Sequence, residues 1–68
     1  MFTYRFWHPS YHNYVTLDCF ATDQVAALAS AVRFIRRENR RLARFTTKRC
    51  QLPTHPNSMR PEGPATPA

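Results

Sequence analysis

The sequence predicts a small α+β protein in the order strand, strand, helix, and three observations carry that prediction. Residues Phe2 to Trp7 alternate in character, Tyr14 to Ala21 alternate again, and Thr22 to Arg49 places apolar and basic residues at helical spacing. A β-hairpin followed by one long amphipathic helix satisfies all three. A third strand is an option downstream, and the chain closes on a disordered, proline-rich tail. The expected organisation is a small domain over residues 1–52 and a tail over residues 53–68. A folded part of about fifty residues lies near the lower limit for a domain standing alone, so a dense aromatic core or a partner surface would help it.

The first strand rests on period two. Phe2, Tyr4 and Phe6 point one way, and Thr3, Arg5 and Trp7 the other. Pro9, Ser10, His12 and Asn13 supply turn chemistry. In the second strand Val15, Leu17, Cys19 and Ala21 share a face. One economical register pairs Phe6 with Leu17, Tyr4 with Cys19 and Arg5 with Asp18, which gathers the apolar residues on one side and sets opposite charges across the other.

The helix is expected to open on Thr22 as N-cap, with Asp23 in the first turn favoured by the helix dipole, and to end near Arg44. Val25, Leu28, Val32, Ile35 and Leu42 form an apolar stripe with Asn39 inside it. Packing of this stripe on the hairpin is the plain reading. The stripe also follows heptad a and d positions, with Asn39 at an a position, so a homodimer through the helix is a further option. Phe45 to Leu52 reads as a third strand or a frayed extension of the helix. From Pro53 onward five prolines and the chain's single glycine, with few large apolar side chains, read as a disordered tail.

Charge is the strongest functional signal. The net charge is +6, and eight of the ten Lys and Arg residues fall between Arg33 and Arg49. Arg33, Arg36, Arg37, Arg40, Arg41 and Arg44 follow one helical face, and Lys48 and Arg49 continue the basic run. These eight are the candidate site for nucleic acid or for an acidic protein surface, because guanidinium groups grip phosphate and carboxylate in a bidentate fork. The plain alternative is a solvated, solubilising face. Trp7, Tyr11 and Tyr14 near the hairpin end are candidate aromatic anchors, for bases or for a protein partner, or else part of a small core.

The segment RRENRRLAR, Arg36 to Arg44, resembles the arginine-rich helices with which some viral antiterminators and export factors hold RNA. Leu17, Phe20, Thr22, Ala26, Ala27 and Ala29 form a pattern similar to the last strand and helix start of the plant ethylene-response-type DNA-binding domain and of the arm-binding domains of tyrosine integrases. That resemblance implies a three-stranded sheet supported by a helix. It covers 13 residues and lacks the glycine- and arginine-rich strands that make base contacts in those families. In size and style the chain also resembles small accessory proteins of phages and mobile elements. Some anti-CRISPR proteins have this size and strand-helix character, which sets a second expectation: an inhibitor or regulator that docks on a host complex through the aromatic hairpin end and the basic face.

Other classes find little support. His8, His12, Cys19, Cys50 and His55 are metal-capable residues without a compact knuckle, so no metal or other cofactor is expected. Asp18, Asp23, Glu38 and Glu62 are scattered, and no nucleophile elbow or phosphate loop appears, so no enzyme is expected. No apolar run reaches transmembrane length and the start of the chain does not read as a signal peptide. A membrane surface is the weakest candidate partner, since Trp7 lies outside the basic helix and the apolar stripe is needed for folding. The expected compartment is the cytoplasm, that of the host if the chain is virus-encoded, with Cys19 and Cys50 reduced.

Overall fold

The computed structural model describes residues 1–61. Two strands, β1 (Phe2–His8) and β2 (Asn13–Cys19), lead into the helix α1 (Gln24–Leu42), and a 3-10 turn at Pro56–Ser58 precedes the short strand β3 (Arg60–Pro61). The three strands form one antiparallel sheet in the order β2-β1-β3, with β1 central. The fold is thus α+β, with the helix packed across one face of the sheet.

The hairpin keeps the expected faces but not the expected register. Phe6 lies opposite Val15, Tyr4 opposite Leu17 and Arg5 opposite Thr16, a shift of two residues. The loop is responsible. His8 pairs with Asn13, so only Pro9–His12 turn the chain, helped by His12 at φ 49° and by the Tyr11 N–H donating to the His8 carbonyl at 3.3 Å. Because side chains alternate with period two, a slip of two leaves every residue on its original face. The cross-strand charge pair is lost in the process. Asp18 instead accepts from the Thr3 hydroxyl at 3.0 Å, and Arg5 lies over the Tyr14 ring, 4.4 Å from its centroid.

Helix α1 is capped by Asp23 rather than Thr22. Asp23 is extended (φ −151°, ψ 174°), and its Oδ1 accepts from the Ala26 N–H at 2.8 Å. The face turned to the sheet is Ala27, Ala31, Ile35 and Leu42, all essentially inaccessible. Two alanines at this contact let the helix backbone approach the sheet closely, and Ile35 and Leu42 fill the wider space beyond. Tyr4, Phe6 and Cys19 meet them from the sheet, with Phe2, Val15, Leu17 and Ala21 around the margin. Of the expected stripe, Ile35 and Leu42 are buried, Leu28, Val32 and Asn39 are half-buried, and Val25 is exposed.

Past Leu42 the helix unwinds through a turn in which the Phe45 and Thr46 N–H groups both donate to the Leu42 carbonyl at 2.9 Å. Phe45 to Leu52 is neither strand nor helix beyond that turn. It runs back along α1 and is held by polar contacts. The Asn39 side chain accepts from the Cys50 N–H at 2.8 Å and donates to the Cys50 carbonyl at 3.2 Å, and the Tyr4 hydroxyl donates to the Gln51 carbonyl at 3.0 Å. Asn39 therefore spends its hydrogen bonds inside the chain, on the Cys50 backbone.

The third strand comes from the stretch expected to begin the tail. Met59 is 1% exposed in the core, Pro53 is buried, and the Gln24 side chain donates to the Met59 carbonyl at 3.3 Å. Burial of Met59 supplies on the order of 1.5–3 kcal/mol, which composition alone does not reveal. Arg60 and Pro61 then pair with Thr3 and Phe2. Pro61 is tolerated because β3 lies at the sheet edge. The expected tail over residues 62–68 lies outside the described residues. A three-stranded sheet backed by a helix agrees with the architecture that the ethylene-response-type and integrase resemblance implied, but here a strand follows the helix, so β2 is not the last strand.

Candidate nucleic-acid interface

Helix α1 has two faces because its sequence has two periodic sets of residues. With Ala27, Ala31, Ile35 and Leu42 locked into the core, the opposite side carries Arg33, Arg36, Arg37, Arg40 and, just past the last turn, Arg44, all exposed. From Arg33 to Arg40 the row advances about 10 Å along the axis. Among the described residues, Arg36, Arg37, Arg40 and Arg44 have no salt-bridge partner. Arg33 makes a 3.4 Å contact from its guanidinium to the Ser30 hydroxyl.

The remaining candidates leave this row. Arg41 turns to the flank of the helix and bridges Glu38. Glu38 also meets buried His8, whose Nε2 lies 3.2 Å from its Oε1. The His8 Nδ1 accepts from the Ser10 N–H at 3.1 Å, so the tautomer that satisfies both contacts carries its proton on Nε2 and donates to Glu38. The Arg41 hydrogen bond, with that of His8, holds the Glu38 carboxyl below the usual glutamate range against the opposing effect of burial. Arg49 folds onto its own backbone beyond the helix, donating to the Thr46 carbonyl at 2.6 Å and the Lys48 carbonyl at 2.9 Å. Lys48 lies across the turn, where it joins Phe45, Thr46, Pro9 and His12 around a shallow hollow. Between α1 and the returning chain, Arg36, Arg40 and Arg49 line an open groove of about 420 Å³ with Asn39, Ala43 and Leu52.

The described acids stay away from the arginine row. Asp23 caps the opposite end of α1, Asp18 is on β2 with Thr3, and Glu38 is engaged by His8 and Arg41. The field of the row is therefore uncompensated within the described residues, as an anion-binding surface requires.

The aromatic candidates divide. Trp7 and Tyr14 meet edge to face on the outer side of the sheet, centroids 5.4 Å apart and planes at 81°. Tyr11 instead packs on His8 at 4.6 Å, on the loop beside the core. Sequence reasoning did not single out Arg5 and Arg60, which the sheet brings to the outer side with Trp7 and Tyr14. Arg5 was legible from its alternation with Trp7. Arg60 was not, because it fell in the expected tail.

The metal-capable residues are dispersed. His8 is committed to Glu38 and Ser10, His12 turns the hairpin, His55 precedes the 3-10 turn, and Cys19 and Cys50 are separate free thiols in the core. Burial raises the pKa of both thiols, helped by the Asp18 carboxylate at Cys19 and the Glu38 carboxylate at Cys50. Among the described residues no three His, Cys, Asp or Glu side chains gather in a metal-holding group, and no helix is long and apolar enough to cross a membrane. No protein-family model, curated protein or solved structure matches this chain.

Proposed function

We propose that this is a non-enzymatic binding protein that contacts nucleic acid, free or within a nucleoprotein complex, through the outer face of α1. The observation that carries the reading is the row Arg33, Arg36, Arg37, Arg40 and Arg44, exposed on a helix whose other face is fixed in the core, with the described carboxylates placed elsewhere. Such a row can neutralise several phosphates at once and release their counterions, and the rigid backing spares it the entropy of ordering a free helix. Its place of action would be the cytoplasm, of the host if the chain is virus-encoded.

A second reading, an inhibitor that docks on an acidic surface of a host complex, draws on Phe45 and Tyr11. These aromatic side chains are 75% and 66% exposed near Lys48 and the hairpin loop, a composition that suits a protein contact.

Binding to short labelled duplex DNA and to hairpin RNA across a salt series separates the two. The control variant is R36Q/R37Q/R40Q/R44Q, which leaves the Arg41–Glu38 bridge and the Arg49 backbone contacts in place. The native protein should show a steep fall of affinity with salt, and the variant's log–log slope should be shallower by roughly 3 to 4. Its folding stability should stay within about 0.5 kcal/mol of the native protein's, since these side chains are solvated. Absence of binding at low salt by the folded native protein would sink the nucleic-acid reading and leave the protein-docking one.

A further inference from the structure

The outer face of the sheet, turned away from α1, is organised in cross-strand rows. Trp7 lies beside Tyr14, Arg5 beside Thr16, and Thr3 between Asp18 and Arg60. A cleft of about 400 Å³ opens there, lined by Thr3, Arg5, Tyr14, Thr16, Ser58 and Arg60. Arg5 and Arg60 stand on neighbouring strands, displaced by two residues, which is roughly 7 Å along the strand and about 4.8 Å across. Their flexible guanidinium groups can therefore converge on a single anion. Neither has a salt-bridge partner among the described residues. Four hydroxyl-bearing side chains border the cleft, Thr3, Tyr14, Thr16 and Ser58. The hydroxyl of Thr3 donates to Asp18 and that of Ser58 to the His55 carbonyl at 2.6 Å, which leaves their oxygens free to accept.

Beside this cationic pair stands an exposed aromatic pair. Trp7 is 41% and Tyr14 51% exposed, and Tyr14 is steadied by Arg5 over its ring and by the edge-to-face contact with Trp7. The face carries no large aliphatic side chain, since its strand residues are Thr3, Arg5, Trp7, Tyr14, Thr16 and Asp18. Trp7 and Tyr14 are then the large apolar side chains among these strand residues, a small apolar area for a protein interface. A bare anion would use the arginines but would gain nothing from the aromatics. An unpaired nucleotide uses both, its base against an aromatic ring and its phosphate between two guanidinium groups.

We propose that the outer face of the sheet is a binding site for a nucleotide unit of single-stranded nucleic acid, with the phosphate held by Arg5 and Arg60 and the base stacked on Trp7, which Tyr14 braces edge to face. This site stands on sheet residues and does not rest on the helix reading. Where both hold, the molecule presents nucleic-acid-binding faces on its two opposite sides and bridges two strands or two segments of one strand.

Trp7 is the chain's sole tryptophan, so its fluorescence reports on this face directly. Single-stranded oligothymidine is titrated at low salt against the native protein, R5Q/R60Q, T16E and the helix variant R36Q/R37Q/R40Q/R44Q, each first shown to be folded by circular dichroism. The native protein and the helix variant should both give a saturating change in Trp7 emission. R5Q/R60Q should need about tenfold more oligonucleotide or worse, and T16E, which sets a carboxylate in the cleft, should weaken binding similarly. Inorganic tripolyphosphate at matched charge should displace the oligonucleotide poorly. The proposal is overturned if Trp7 emission does not respond, if the response survives in both R5Q/R60Q and T16E, if it vanishes in the helix variant, or if tripolyphosphate competes equally well and marks a simple anion site. Loss of duplex or hairpin binding on the helix face is read separately, so either surface can fail without the other.

Discussion

The two sides of α1 share one backbone and one period, yet they do opposite work. The inner side consists of Ala27, Ala31, Ile35 and Leu42 in the core, flanked by Glu38 bound to His8 and by Asn39 bound to Cys50. The outer side is a row of solvated arginines. Changes on the inner side should move stability with little effect on the binding surface. Changes on the outer side should move binding and leave stability almost untouched. The contrast teaches that in a chain of this size a single helix can serve as both the main core element and the main charged surface, because close packing and solvation act on different arcs of the same cylinder.

The hardest test of the inner side is Ile35→Ala. Ile35 is fully buried between the helix and the sheet, and truncation should cost about 2–5 kcal/mol, read as a lower urea midpoint. A loss below about 1 kcal/mol would mean that the contact of helix and sheet is looser than the packing implies.

The next largest effect is expected at Asn39. Asn39→Ala removes both partners of the Cys50 backbone and should cost about 1–3 kcal/mol. Amide hydrogen exchange at Cys50 should accelerate in this variant well ahead of exchange within β1. Equal protection at Cys50 in the two proteins would show that the returning segment is held by other contacts.

The smallest expected effect is the acid dependence carried by Glu38. Its folded pKa lies below the 4.5 of an unperturbed glutamate, chiefly through the Arg41 hydrogen bond. The unfolded chain therefore binds the proton more readily than the folded one as pH falls through this range. The stabilisation is present above the unfolded value and is lost as pH drops through the folded value. Urea midpoints measured from neutral pH downward should decline less steeply in Glu38→Gln than in the native protein. Parallel declines would place the acid sensitivity in other groups. Across all three variants, salt-dependent binding by the arginine row should survive at pH 7, wherever the protein remains folded.

The local period of the sequence was a reliable guide where a residue's role depends on its own element. The alternation of Phe2 to Trp7 marked β1 and that of Tyr14 to Ala21 marked β2 and its faces, although β2 ends at Cys19, two residues early, and the arginine spacing identified Arg33, Arg36, Arg37, Arg40 and Arg44 as one solvated row. The N-cap was expected at Thr22, but Asp23, an equally good cap, holds the position because its backbone is extended and its side chain accepts from the Ala26 N–H. Arg41 and Arg49 looked equivalent to the others until their partners, Glu38 and the turn carbonyls, were in place.

What the sequence determined by itself is therefore the set of short-range facts: two strands, one helix, and which side chains share a face. These follow from the fixed geometry of a strand and of a helix turn. Tertiary structure decided the hairpin register, the use of Asn39 to bind Cys50, the capture of Met59 and Arg60 from a stretch that reads as tail, and the meeting of Arg5 with Arg60 on the outer sheet. Each of these depends on space and unpaired polar groups left by elements distant in the chain. Asn39 and Cys50 are 11 residues apart and Gln24 and Met59 are 35 apart, separations at which no local periodicity carries information.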